Sequence, residues 1–304
     1  MLRLMDWADK FAKGEFVSQR KLIREAISNP AHPYYPFVRR LFTDLDEGVM
    51  QAMAANFFIN AALVGWPKQE ELRKKYNCNI PWAILLDPTS ACNLHCTGCW
   101  AAEYGNKLNL TFDEIDNIIQ QGKALGIYMY IYTGGEPLVQ LDFVTEFFRL
   151  MKKEGVHTCV DTAGQPFRRD PEWLDRFNEL MSLTDLFMLD LKQFDSKLHV
   201  DLTGKDNANI LDMARYLSDN GKEMWIRHVL VPGVTDDEND LRKMSDFIAS
   251  LKTVSRVEIL PYHTLGVSKW QKLGIPYPLE GVPTPTDEQV KRAENILNVT
   301  AYHK

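Results

Sequence analysis

The chain has 304 residues, 45% of them hydrophobic and 25% charged, with a formal net charge of −6. This is the composition of a globular protein with a sizeable core, built as one large domain or two smaller ones. The negative balance gives no overall attraction to nucleic acid or an anionic membrane, so neither is expected as a partner.

Residues 1–16 are interrupted by Asp6, Asp9, Lys10 and Lys13 and lack the pattern of an export signal. Up to about Lys75 the apolar spacing is helical, with Leu22, Ile23, Ala26 and Ile27 on one face and Val38, Leu41 and Phe42 on another. Breaks fall at Asn29-Pro30 and Ala31-His32-Pro33. The most apolar stretch, 52–66, contains Asn56 and Asn60 and is too short to span a bilayer. It reads as a buried helix, and a cytoplasmic location is expected.

From about Pro81 short apolar runs alternate with capped helices. Ile84-Leu85-Leu86 is strand-like and leads into SACNLHCTGCW, residues 90–100, which carries Cys92, Cys96 and Cys99. Thr111 to Glu114 forms a capping box for a helix that Gly126 ends. Strands are expected at 127–132, 156–161, 186–191, 224–231 and 257–261. Helices are expected at 143–153, 171–180, 210–219, 240–251 and 287–297. About six β/α units in series argue for a parallel sheet with right-handed crossovers. A partial curved barrel and an open doubly wound sheet both satisfy that count, and in either the strand ends face the ligand. The expected division is a helical region at 1–80 followed by the α/β part at 81–304.

Three cysteines within eight residues, out of five in the chain, do not suit a secreted disulfide framework. Closely spaced thiolates suit iron, and three of them on a four-iron cluster leave one iron open to an exchangeable ligand. A zinc site completed by Cys78 or His95 remains the alternative on the cysteines alone, and with it a non-catalytic zinc-binding protein. Gly134-Gly135-Glu136 ends the second strand, where glycines admit close backbone approach and an acid stands at the tip. Later strand ends carry Asp161-Thr162, Asp190-Leu191-Lys192, Trp225-Ile226-Arg227 and Pro261-Tyr262-His263. Such a rim suits a zwitterionic, ribose-bearing ligand. Cys78 and Cys159 read as buried thiols, His157 and His199 as structural or surface residues, and Asp236-Asp237-Glu238 as a helix N-terminus.

Cys92-x3-Cys96-x2-Cys99 followed by Gly134-Gly135-Glu136 resembles the radical S-adenosylmethionine (SAM) superfamily. The resemblance implies a partial (β/α)6 barrel, here preceded by an α-helical N-terminal region. It also implies a [4Fe-4S] cluster on Cys92, Cys96 and Cys99, with SAM chelating the open iron. One electron then cleaves a carbon–sulfur bond, giving methionine and a 5′-deoxyadenosyl radical that takes hydrogen from a substrate. Such an exposed iron site is oxygen-labile, so anaerobic chemistry is implied.

From Leu141 onward the segments around Lys152-Lys153, Asp190-Leu191-Lys192, Trp225-Ile226-Arg227 and Leu260-Pro261-Tyr262-His263 resemble the pyruvate formate-lyase activating enzymes. Those oxidoreductases activate glycyl radical enzymes. The implied substrate is a backbone glycine of such a protein, and the implied electron donor is a flavodoxin or ferredoxin. By this resemblance Asp190, Lys192, Arg227 and His263 lie around SAM, and the superfamily resemblance adds Gly98, Trp100, Gly134, Gly135 and Glu136 to the SAM site. Asp161, Thr162, Met188 and Asp190 would hold a monovalent cation beside it.

The sequence departs from the activases in places. About eighty residues precede the barrel, and an aromatic residue usually precedes the third cysteine, where Gly98 stands with Trp100 just after. Residues 1 to about 140 are more similar to another radical SAM branch, with the change near 139–143, as a recombined chimera would show. A radical SAM enzyme with a substrate defined by the N-terminal half is therefore a second expectation. No cysteine follows Cys159, which leaves no thiols there for an auxiliary cluster.

Overall fold

The computed structural model describes residues 6, 9–10, 17–36, 39, 54–87, 89–101, 103, 109–132, 134–153 and 157–302. The expected helical face at Val38, Leu41 and Phe42 and the strand start at Val156 lie outside these residues. The chain forms two compact units, one of residues 1–86 and 110–133, the other of residues 87–109 and 134–304.

In the first unit, α1 (Val17–Ser28) stops before Asn29-Pro30, as a proline break requires. Ala26 is buried on it, whereas Leu22 and Ile23 are exposed. A π-helical turn series at Ala54–Gly65 runs into α2 (Trp66–Tyr76). The apolar run is therefore helical, but it is not buried throughout, because Ile59 and Val64 are exposed. A segment apolar on every side needs cover on every side. Among the residues whose burial is described, Gly65 is buried beside the exposed Val64, and Gln69 just beyond donates to the Gly126 carbonyl at 2.7 Å. Cys78 is exposed just beyond α2, which corrects its reading as a buried thiol. The short turn that holds it offers too little apolar surface to enclose it.

Strand β1 (Ala83–Leu86) pairs in parallel with β2 (Met129–Tyr132). Helix α3 (Phe112–Ala124) precedes β2 and carries the expected capping box, with Thr111 and Glu114 each accepting from the other's backbone N–H.

The second unit holds α4 (Leu141–Lys153), β3 (Cys159–Thr162), α5 (Pro171–Ser182), β4 (Leu186–Asp190), α6 (Ser196–Thr203) and α7 (Ala208–Asp219). It continues with β5 (Met224–Leu230), α8 (Glu238–Ser250), β6 (Val254–Pro261), α9 (Val267–Leu273) and α10 (Asp287–Ile296). The four strands β3-β4-β5-β6 pair in sequence order, all parallel. Two parallel strands in the first unit and four in the second, each followed or preceded by helices, give the expected α/β succession. Helices α6 and α9 were not expected, each being too short for a clear apolar stripe.

Phe187, Leu189, Met224, Ile226 and Val257 are fully buried in this sheet, as a parallel sheet covered by helices requires. The helices contribute Phe177 and Leu180, Met213 and Leu217, and Met244 and Ile248 to the same core. Phe177 meets Phe167 edge-on at 5.4 Å and stacks on Trp173 at 5.2 Å. This packing fixes the strands whose C-terminal ends carry the polar residues. Asp237 caps α8 by accepting from the Asp240 N–H at 2.8 Å, as the acidic run suggested. Among the described residues no helix is long and apolar enough to cross a membrane.

Candidate functional site

The residues expected to hold the cluster, SAM and the monovalent cation all fall in the second unit, whereas Cys78, a candidate zinc ligand, lies in the first. The cysteine loop is gripped on two sides. On one side the N–H groups of His95 and Thr97 donate to the carbonyls of Thr203 and Leu202 at the end of α6, both at 2.8 Å. On the other, Gly98 takes φ +87°, and a Cβ there would stand 2.8 Å from Leu279 Cδ1. The left-handed backbone thus favours glycine at position 98, and a side chain there would also have to push the Leu279 methyl aside. Trp100 lies under the Lys269 ammonium of α9, 3.4 Å from the ring centroid, a cation–π contact. The Cys99 N–H closes a turn onto the Cys96 carbonyl at 3.0 Å.

Burial pushes the Cys96 thiol up to about 11, and the Cys92 thiol is raised for the same reason. The neighbouring thiols add to the shift of Cys96, and the Lys192 ammonium opposes it. The three sulfurs and Lys192 therefore share one electrostatic neighbourhood.

Gly134 and Gly135 both take positive φ, +83° and +68°. A Cβ on Gly135 would meet the Ala91 carbonyl oxygen at 2.6 Å, and the Glu136 N–H donates to that same oxygen at 2.8 Å. The glycine pair thus clamps the approach to the cysteine loop. Glu136 is buried and its carboxylate turns inward. It accepts from Thr162 Oγ1, from the Ala163 N–H at 2.9 Å and from the Leu138 N–H at 3.1 Å. Burial raises its carboxyl above the usual range against these donors. Its side chain braces the strand end, and its direction could not be read from the motif.

The sheet register decides which strand-end groups meet. Asp161 pairs with Met188 and Asp190 with Arg227, so these four share one face. Arg227 bonds Asp190 through Nε at 3.0 Å and a terminal nitrogen at 2.7 Å, and the same nitrogen reaches Asp161. Lys192 adds a contact to Asp190 at 3.1 Å. Burial opposes the charges of Arg227 and Lys192, but the facing carboxylates outweigh it and hold both cations well protonated. Burial likewise raises the Asp161 carboxyl, with Arg227 opposing.

Thr162 points to the opposite face, where Oγ1 donates to Glu136 and accepts from the Gly164 N–H at 2.8 Å. Of the four groups expected around a monovalent cation, Thr162 could therefore offer only its carbonyl. The two carboxylates are already bridged by a guanidinium. His263 follows the end of β6 and is exposed. His95, the candidate zinc ligand, pairs instead with Glu103 at 3.2 Å.

The donor set fits a cuboidal iron–sulfur cluster. Three thiols come from one pinned loop beside a cation, and each would take its own iron. Among the described residues no three His, Cys, Asp or Glu side chains converge to hold a single metal ion. A surface cleft of about 450 Å³ lined by Glu238, Arg242, Lys291 and Arg292 includes none of the site residues. Its walls are exposed helix surface, so the polar strand ends remain the better candidate.

Residues 86–244 match the radical SAM superfamily. The pyruvate formate-lyase-activating enzyme of Listeria monocytogenes is 51% identical over 170 residues, 56% of this chain and 68% of that protein. The enzyme of that name from Staphylococcus epidermidis is 45% identical over 219 residues, 69% of this chain and 86% of that protein. The crystal structure of Streptococcus suis SuiB bound to S-adenosylmethionine aligns with a TM-score of 0.51 at 19% identity, covering 96% of this chain and 59% of that one. This last likeness is one of fold. The chain belongs to the radical SAM superfamily, whose members work with a [4Fe-4S] cluster and S-adenosylmethionine.

Proposed function

We propose that this chain is a glycyl-radical-enzyme activase, with Cys92, Cys96 and Cys99 holding the cluster and the β3–β6 strand ends holding SAM. The observation that carries the activase reading is the 51% identity to a pyruvate formate-lyase-activating enzyme over more than half the chain. When bound, the cluster and SAM supply one-electron carbon–sulfur cleavage and a radical able to take hydrogen from a glycine.

The chain's own groups bind and orient. Arg227 and Lys192 offer cationic donors to the SAM carboxylate, and Asp190 balances both. The turned backbone of Gly134 and Gly135 gives close approach for the methionine part, and Glu136 holds that turn from behind. Gly98 and Trp100 lie on the adenine side, and His263 closes the rim. A monovalent cation, if taken up, joins Asp161 and Asp190 with the carbonyls of Thr162 and Met188 beside Arg227. A flavodoxin or ferredoxin serves as electron donor, in the cytoplasm.

Electron paramagnetic resonance of the reduced, iron-loaded protein mixed with SAM and pyruvate formate-lyase tests this. The expected result is a glycyl radical doublet. SAM cleavage without that doublet removes the activase reading and leaves radical SAM chemistry with another substrate. Absence of both removes the proposal.

A further inference from the structure

Helix α6 ties the segment after Lys192 to the cysteine loop. At its N-terminal end Asp195 accepts from the N–H groups of Lys197 and Leu198 at 2.9 and 3.1 Å. Immediately before it, the N–H groups of Phe194 and Asp195 donate to the two carboxylate oxygens of Asp240, at 2.8 and 2.6 Å. Asp240 belongs to the first turn of α8 and is 3% exposed. At the far end Gly204 takes φ +77° and stops the helix, which leaves the last carbonyls to turn outward. Two of these, Leu202 and Thr203, accept from Thr97 and His95, the residues on either side of Cys96.

We propose that Asp240 is a positioning residue that sets the Cys96 segment against Lys192, with α6 as a strut of about 12 Å between them. Each link is a hydrogen bond to backbone, and the one at Asp240 uses a buried carboxylate. A buried carboxylate taking two N–H groups is directional and expensive to displace. An eight-residue helix capped at both ends has little room to bend. Among the described residues Asp240 forms no ion pair, so its buried charge rests on these two N–H groups and on the first turn of α8. Asn207 supports the same segment by donating to the carbonyls of Gln193 and Phe194 at 3.0 and 2.6 Å.

The proposal rests on the cluster reading only for its consequence, because its test does not use activity. Amide hydrogen exchange is measured on the full chain, iron-loaded and iron-free, for the wild type and Asp240→Asn. The asparagine keeps one acceptor oxygen, so one of the two N–H groups loses its partner. The expected result is exchange about tenfold faster at His95 and Thr97, as well as at Phe194 and Asp195. Exchange that rises at 194–195 while 95 and 97 keep the wild-type rate overturns the proposal. If Asp240→Asn does not fold, Asp195→Ala decides, since it weakens the α6 cap and leaves Asp240 in place. Faster exchange at 95 and 97 supports the strut, and unchanged exchange there overturns it. In the iron-loaded protein the Asp240→Asn affinity for SAM is expected to fall with iron content unchanged, a split that general unfolding would not produce.

Discussion

Arg227 engages Asp190 with two of its nitrogens, at 3.0 and 2.7 Å, across adjacent strands in register. This pairing makes the strand-end rim nearly charge-neutral, because Asp161 and Lys192 join the same group. It also gives the guanidinium a preset orientation, which a lysine could not supply.

Replacing Arg227 with alanine leaves two neighbouring carboxylates without their shared cation. The affinity of the iron-loaded protein for SAM is expected to fall by at least about tenfold, a loss of about 1.4 kcal/mol or more. Arg227→Lys should fall in between. Added potassium should restore part of the alanine variant's affinity, whereas tetramethylammonium should not. Equilibrium dialysis of labelled SAM checks all of these.

Gly135 admits no side chain. Alanine there would need a left-handed backbone and would press a Cβ onto the Ala91 carbonyl, 2.6 Å away. Gly135→Ala is expected to cost about 2 kcal/mol or more and to displace the start of the cysteine loop. Thermal melts and iron bound per chain after reconstitution measure the two effects separately.

Asp185 gives a clean acid-stability prediction. Burial works against its charge, but Lys152 and two donors on Thr158, at 2.7 and 3.0 Å, outweigh it and hold its carboxyl below the ordinary 3.8. A carboxyl lowered on folding contributes stability above its unfolded value and loses it as pH falls through the folded one. The wild type should therefore lose stability on acidification below about pH 4, a slope that Asp185→Asn removes in part. At neutral pH the variant is expected to be about 1 kcal/mol less stable. Denaturant melts across pH 2.5–7, an interval chosen to bracket about 4, test the sign.

Iron loading should be steeply pH-dependent. Cys96 is raised to about 11 and Cys92 is also raised, so both are thiols at neutral pH before metal arrives. Binding must release their protons, and uptake should rise roughly tenfold per pH unit for each proton lost before the slow step. Anaerobic reconstitution followed by visible absorption at several pH values measures this. Cys96→Ser should abolish the absorbance at every pH.

The cysteine spacing, the glycine turn and the polar strand ends were legible because each is a local pattern whose meaning depends on a few adjacent residues. The β/α succession was legible for the same reason, since caps and apolar runs are local. What escaped depends on partners far along the chain. The inward turn of Glu136 is set by Thr162 and Ala163, and no motif records it. Helix α6 is short, yet its ends carried signals in Asp195 and Gly204 that could have revealed it. The separation of Thr162 from Asp161 follows from strand alternation and was available from the period alone.

The interleaving of the two compact units has a consequence for how the protein is made and cut. In sequence, residues 87–109 with the cysteine loop lie between the two pieces of the other unit, whose strands β1 and β2 pair only with each other among the described residues. During synthesis residues 87–109 emerge before β2 exists, so β1 waits for residues 129–132 to close its ladder. A truncation at residue 75, aimed at removing a helical appendage, would instead split one unit and strand its remainder. Shortened versions should keep both flanks of the loop together with the segment from Leu110 onward.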